Sequence, residues 1–281
     1  MSAAAGEAVD AADAAFDLGP AILFCPADRP ERYGKAAERA DAVIIDLEDA
    51  VAAADKPAAR RALVGNPLDP RRTIVRVNPA GTADFAEDLA ALAETAYTTV
   101  MLAKTESARD TRALPGRRVL ALCETAAGVL NAAGIAAEPN VVGLMWGAED
   151  LVASLGGTSS RHDGAGYRDV ALHARSAVLL AAGAFGKAAI DSVYIDIRDH
   201  EGLAAESRDA AASGFAAKAS IHPAQMPVIR AAYAPDPGRV AEAREILAAA
   251  AGRHGVFAFG GRMIDEPLLR HARRLVARAG G

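Results

Sequence analysis

A basic excess is missing from this sequence: 31 lysines and arginines face 36 aspartates and glutamates, a formal net charge of −5. A protein that grips duplex DNA normally neutralises its phosphates with a surplus of cations, so no nucleic-acid partner is expected. Cysteine is equally scarce. Cys25 and Cys123 each sit in an apolar run and form no CxxC, which argues against a disulfide framework and for buried, reduced thiols in a cytoplasmic setting. Aromatic residues make up 5% of a chain that is 52% hydrophobic. The core must therefore rest on Ala, Val, Leu and Ile, which suit buried parallel strands and amphipathic helices better than an aromatic-rich β-sandwich. No apolar run approaches the roughly 18 residues of a membrane span. The first twenty residues carry Glu7, Asp10, Asp13 and Asp17 but no basic residue, the reverse of a secretory or mitochondrial leader. They read as a flexible N-terminal arm.

What is present is a regular series of short apolar runs. AILFCPA occupies 21–27, AVIIDL 42–47, TIVRVN 73–78 and TTVMLAK 98–104. VLALC follows at 119–123, VVGLMW at 141–146, SVYIDI at 192–197 and AKASI at 217–221. Stretches of helical periodicity separate them, for example at 84–95 and 169–185. Eight such units predict an α/β protein of the (β/α)8 type, a TIM barrel, over residues 21–233. A doubly wound sheet would want a glycine-rich phosphate turn after its first strand, and here that strand runs into Pro26-Ala27-Asp28-Arg29-Pro30. GGTSSRHDGAG at 156–166 reads as a polar loop, not a nucleotide motif. PDPG at 235–238 marks a break. Residues 234–281 then form a C-terminal helical extension, with helices at 240–251 and up to about 279 and an apolar loop at 256–267, placed to cap the barrel as a lid or to reach a neighbour.

In barrels of this kind the chemistry sits at the C-terminal ends of the strands, so the residues ending each run are the candidates. The second run ends in Asp46-Leu47-Glu48-Asp49, three carboxylates in four residues. The third contains Arg76 and Asn78, and the fourth ends at Lys104. The fifth ends at Glu124, the sixth leads to Glu149 and Asp150, the seventh to Asp196, Arg198 and Asp199, and the eighth to His222. An excess of hard oxygen donors without a Cys/His cluster favours Mg2+ or Mn2+ over zinc.

Each residue also has a bland reading. The DLED acids suit a solvated strand end, Glu124 precedes a plausible N-cap at Thr125, and Asp150 would cap a helix at 151–155. Arg76, inside an apolar strand, must find an anion, either a structural carboxylate or the substrate. His222 suits a structural histidine as well as a base. Lys104 suits a Schiff-base lysine, although the carboxylate excess argues for a metal.

The segments FCPADRPERYGKA, DAVIIDLEDAVAAADK, VRVNPAGT, VMLAKTES, ETAAGVLNA, GLMWGAEDLVASLGG, YIDIRDHEGL and KASIHPAQ run in order from residue 22 to about 225. Together with GRMIDEP they resemble the citrate lyase β-subunit-like branch of the HpcH/HpaI aldolase family. The resemblance implies a metal-dependent barrel that cleaves or forms a 3-hydroxyacyl-CoA thioester such as citryl-, malyl- or citramalyl-CoA. It implies Mg2+ (or Mn2+) held by Glu124 and Asp150, a substrate-facing Arg76, and Glu48 and Asp49 contacting the metal through water. More weakly, it places Arg29 and Lys35 near the CoA phosphates. It makes Asp265 a lid aspartate that enters a neighbouring subunit's site, hence a homo-oligomer, a trimer or hexamer. Two positions depart from the family pattern: Ala103 stands where a proline is usual, and Ala27 where a glycine is usual. A class II 2-oxo acid aldolase without CoA, an acyl-CoA thioesterase and a non-catalytic CoA-ester sensor are the alternatives.

Overall fold

A computed structural model describes residues 16–163, 166–252 and 255–280. Most of the expected N-terminal arm, residues 1–15, lies outside them. The strands are β1 (Ala21–Pro26), β2 (Ala42–Asp46), β3 (Thr73–Val77), β4 (Thr99–Leu102), β5 (Arg118–Cys123), β6 (Val141–Trp146), β7 (Ala188–Asp191) and β8 (Ala217–Ser220). They pair in sequence order, all parallel, and β8 returns to β1 through Ala21 opposite Lys218, which closes the expected barrel. β1 to β6 are rich in Val, Ile and Leu because both of their faces are covered, one by helices and one by the barrel interior.

Alternation sorts the two faces. Ile22, Ile44, Ile74, Met101, Leu120, Met145, Ile190 and Ala219 form one interior cluster. Two residues further along each strand the same face carries different chemistry: Asp46 after Ile44, Arg76 after Ile74, Gly147 after Met145, Ser192 after Ile190, and Glu124 after Leu122. The interior parity thus delivers these groups to the C-terminal mouth.

The seventh strand differs from expectation. Residues 192–197 are a loop, and β7 is Ala188–Asp191 instead. Val193 to Ile197 alternates apolar and polar with β-branched and aromatic residues and so imitates a strand, whereas Ala188-Ala189 has little β preference. Tertiary contacts override propensity here. Asp191, fully buried, accepts hydrogen bonds from Lys218 Nζ at 2.9 Å, Arg175 Nε at 2.9 Å and Trp146 Nε1 at 2.8 Å. Ile195 remains 51% exposed. Asp196 and Asp199 become turn residues: Asp196 accepts from the Arg198 N–H, and Asp199 caps the helix His200–Ser213.

The chain divides after Ala232 into two compact units. Within the second, helix Pro237–Ala250, strands β9 (Phe257–Phe259) and β10 (Arg262–Ile264), and helix Glu266–Gly280 share a small core of Ala243, Ile246, Ile264, Leu269 and Ala272. The expected apolar loop at 256–267 is therefore an antiparallel hairpin. Gly260 and Gly261, at φ 54° and 76°, form its two-residue turn, a conformation that demands positive φ at both positions.

Candidate active site

The barrel mouth encloses a cavity of about 370 Å³. Its lining combines the polar side chains of Asp46, Asp49, Arg76, Glu124, Glu149 and Asp150 with the apolar ones of Phe24, Leu122, Met145, Val193 and Ile221.

Arg76 is 8% exposed and held by two carboxylates. Its Nε and Nη2 donate to the two oxygens of Asp46 at 2.7 and 2.6 Å, and Nη1 lies 3.0 Å from Glu48 Oε2. The guanidinium also rests over the Phe24 ring, 5.0 Å from its centroid. Burial alone would lower its pKa, but Asp46 and Glu48 outweigh that and drive it up, so Arg76 is a permanent cation. The structural reading of Arg76 holds, since its anions are Asp46 and Glu48, which engage three of its five N–H groups.

Glu124 is 2% exposed. Its carboxyl is pushed up to about 8, first by burial and then by the negative charge of Asp150. The Lys104 N–H donates to its Oε1 at 3.1 Å. On the other side lies Gly147, where a β-carbon would stand 2.8 Å from both Cβ and Oε2 of Glu124. Asp150 is not the cap expected from sequence. The helix Ala148–Ser154 starts three residues earlier than the expected 151, with Gly147 at its N-cap, so Asp150 sits in the first turn. Thr125 does cap the helix Ala126–Leu130, accepting from the Gly128 N–H.

Glu48 is buried and its pKa is raised by desolvation, against the pull of Arg76 and Lys104. Asp49 is half a step further out; burial raises it, but the Lys104 hydrogen bond and charge hold it below the usual range. The Lys104 ammonium bonds Glu48 and, at 2.9 Å, Asp49, and lies 3.7 Å from Asp150 Oδ1. Burial pulls its pKa down, yet Glu48, Asp49 and Glu124 raise it well above the ordinary value. An ammonium engaged by both Glu48 and Asp49 favours the counter-cation reading over the Schiff-base one.

The structure thus brings Glu48, Asp49, Arg76, Glu124 and Asp150 to one mouth. Arg29 and Lys35 are exposed and do not line the cavity, and Asp265 belongs to the second unit, where it accepts from the Leu268 N–H at 3.2 Å. His222 caps the turn Pro223–Gln225, its Nδ1 accepting from the Ala224 N–H, which is the structural reading. Sequence reasoning underweighted Asp46 and Lys104 and missed Gly147 and Ser192. The interior parity running from Ile44 to Asp46, Met145 to Gly147 and Ile190 to Ser192 was the available signal for three of them.

A hard divalent cation fits these residues. Among the described residues no three His, Cys, Asp or Glu form a metal cage. Two carboxylates with the remaining positions left to water and substrate is how Mg2+ is usually held. A buried carboxylate whose ionisation is opposed by a second one gains most from such a charge. A parallel (β/α)8 barrel with this mouth defines a protein built for divalent-cation chemistry on a small anionic substrate.

The chain belongs to the HpcH/HpaI aldolase/citrate lyase family, whose model matches residues 21–223. It is 60% identical over 262 residues to the citrate lyase subunit beta-like protein of Mycobacterium tuberculosis, covering 93% of this chain and 96% of that one. Human mitochondrial citramalyl-CoA lyase is 34% identical, covering 92% of this chain and 85% of its own. A (3S)-malyl-CoA thioesterase of Cereibacter sphaeroides is 37% identical, covering 92% and 93%. The crystal structure of protein CitE from M. tuberculosis with magnesium, acetoacetate and coenzyme A superimposes with a TM-score of 0.90 at 59% identity, covering 94% of this chain and 98% of that one.

Proposed function

We propose that the protein is a Mg2+-dependent carbon–carbon lyase that cleaves a 3-hydroxyacyl-CoA thioester of the citramalyl, malyl or citryl type to a 2-oxo acid and an acyl-CoA, or joins them. The observation that carries this is the pairing of buried Glu124 with Asp150 opposite a permanently charged Arg76 in one cavity. Citramalyl-CoA lyase as a relative, and magnesium with coenzyme A in a near neighbour, support the same reading. Mn2+ is an alternative occupant with the same donor preference.

Glu124 and Asp150 would hold the cation. Once bound, Mg2+ supplies positive charge that polarises the hydroxyl and carboxylate of the acyl group. The chain's own groups do the rest. Glu48, whose pKa is raised by burial, receives the hydroxyl proton, and its position is set by Arg76 and Lys104. Arg76 lines the cavity, and its two uncommitted N–H groups would stabilise the oxyanion that develops as the thioester leaves as its enolate. Asp49 borders the same mouth and accepts through water. Asp265 of a neighbouring copy, entering as the protonated acid, gives its proton to the enolate carbon, while the proton taken by Glu48 is released to solvent and Asp265 is reprotonated from solvent; this makes the working form a homo-oligomer, a trimer or hexamer. Arg29 and Lys35, exposed near the end of β1, offer charge to the CoA phosphates. Among the described residues no helix is long and apolar enough to cross a membrane. With two buried free thiols, a cytoplasmic setting is our reading.

The test is release of 2-oxo acid, followed by coupled reduction, from citryl-, malyl- and citramalyl-CoA in the presence of Mg2+. Cleavage of one ester that is lost with EDTA and in Asp150→Ala is the expected result. Release of CoA thiol without 2-oxo acid would mark a thioesterase instead, and cleavage of free hydroxy acids an aldolase. Binding of the ester without turnover would mark a sensor.

A further inference from the structure

Lys104 is, among the described residues, the one non-glycine with a left-handed backbone, at φ 46°. A β-carbon is crowded there, so a lysine persists only where its surroundings over-determine it. They do. On one side the Ala103 N–H donates to Val77 O at 3.3 Å, and on the other the Thr105 N–H donates to Leu122 O at 3.0 Å. The Thr105 hydroxyl adds a bond to Leu102 O at 2.7 Å. The turn is thus pinned between β3 and β5, and the Lys104 N–H is left to meet Glu124 Oε1.

The side chain is redirected as well. Met101 belongs to the barrel interior, so Leu102 and, in a continued strand, Lys104 would face the outer helices. The left-handed step instead lets the ammonium reach Glu48, Asp49 and Asp150. One residue therefore touches carboxylates supplied after β2, at the end of β5 and after β6.

We infer that Lys104 is a positioning residue with two separable parts: a backbone that aims Glu124, and an ammonium that is the built-in counter-cation of the carboxylate cluster. The ammonium orders Glu48 and Asp49 and sets how tightly the cluster takes a divalent cation. This rests on the reading of Glu124 and Asp150 as the cation's ligands.

Removing the ammonium takes away a positive charge 3.7 Å from Asp150 Oδ1, and with it the repulsion that charge would exert on a divalent cation held there. The backbone bond to Glu124 survives in every side-chain variant, so the loss of repulsion decides the sign. The experiment titrates Mg2+ calorimetrically into wild type, Lys104→Met, Lys104→Gly and Lys104→Arg, alongside steady-state kinetics and thermal melting. Lys104→Met and Lys104→Gly should bind Mg2+ about 10-fold tighter while kcat falls at least about 10-fold because Glu48 and Asp49 lose their anchor. Lys104→Arg should keep the affinity within about 3-fold of wild type, since it keeps the charge. Lys104→Gly should melt above Lys104→Met, because glycine relieves the backbone.

A role in packing alone would weaken Mg2+ binding and turnover together. Unchanged or weaker Mg2+ affinity in folded Lys104→Met or Lys104→Gly overturns the counter-cation, and a Lys104→Gly that melts no higher overturns the backbone part. If Lys104→Met does not fold, Lys104→Gly against Lys104→Arg carries the same charge comparison. Wild type that fails to bind Mg2+ sinks the site reading as a whole. Wild type that binds Mg2+ but cleaves no ester sinks only the proposed reaction and leaves the Lys104 comparison readable.

Discussion

Gly147→Ala isolates the geometry of the cation site from everything else. Gly147 has φ −124° and ψ 119°, ordinary extended backbone, so alanine is conformationally tolerated there. The new methyl would stand 2.8 Å from Glu124 Oε2 and Cβ, where ordinary contact begins at 3.4 Å. The carboxylate of Glu124 must therefore retreat by several tenths of an ångström. Displacing a metal ligand or its support typically weakens metal binding by about 10- to 100-fold. At a Mg2+ concentration 100 times the wild-type Kd, binding stabilises the fold by about 2.7 kcal/mol; a 100-fold loss of affinity leaves about 0.4 kcal/mol. Thermal melting of both proteins with EDTA and with that Mg2+ concentration reads this directly. The EDTA melting point should fall by a few degrees, since the clash with Glu124 Cβ costs about 1–3 kcal/mol, while the Mg2+-induced rise, read from each protein's own EDTA baseline, should nearly vanish in the variant. A full Mg2+-induced rise in Gly147→Ala would refute the assignment of Glu124 as a ligand in this position.

Arg76→Lys keeps a charge but cannot span both oxygens of Asp46 while also serving Glu48 and substrate; kcat should drop about 100- to 1000-fold, with the calorimetric Mg2+ affinity much less changed. Lys218→Met removes a fully buried ammonium that serves Asp191, Ser192 O and Glu206. Breaking such a network by one partner costs about 3–5 kcal/mol, read as a melting-point loss on the order of 10 °C; a loss under about 2 °C would show the network to be energetically neutral. In wild type, burial raises Asp191 but Lys218 and Arg175 bring it below its usual value. Its contribution is therefore complete above the ordinary carboxylate range and lost as pH falls below it, so acid titration of stability should show Asp191→Asn less steep than wild type below about pH 4. Burial pushes the Cys25 and Cys123 thiols up to about 11 and about 12. Neither should react with a disulfide reagent at pH 8 until the protein is denatured.

Much of the barrel was legible because each strand carries its own local signature. The β6 bounds coincide with the apolar run, and β2 and β3 each end one residue short of the expected limit. The seventh strand was not legible, since an alanine-rich segment became β7 only through the burial of Asp191 among Lys218, Arg175 and Trp146. The hairpin of the second unit was legible in its Gly260-Gly261 pair between two short apolar runs, a signal passed over for the flanking helices.

At the site, the residue types and the strand ends carrying them belong to the sequence itself, for period-two alternation is a local property that places Glu124 and Arg76 on the inner face wherever those strands go. Which charge meets which was settled only by the closed barrel. Asp46 and Arg76 are 30 positions apart, and Glu48 and Lys104 56 apart. Whether a buried arginine faces a structural or a substrate anion, and whether a lysine stands as nucleophile or counter-cation, depends on partners that only tertiary closure brings within hydrogen-bond reach.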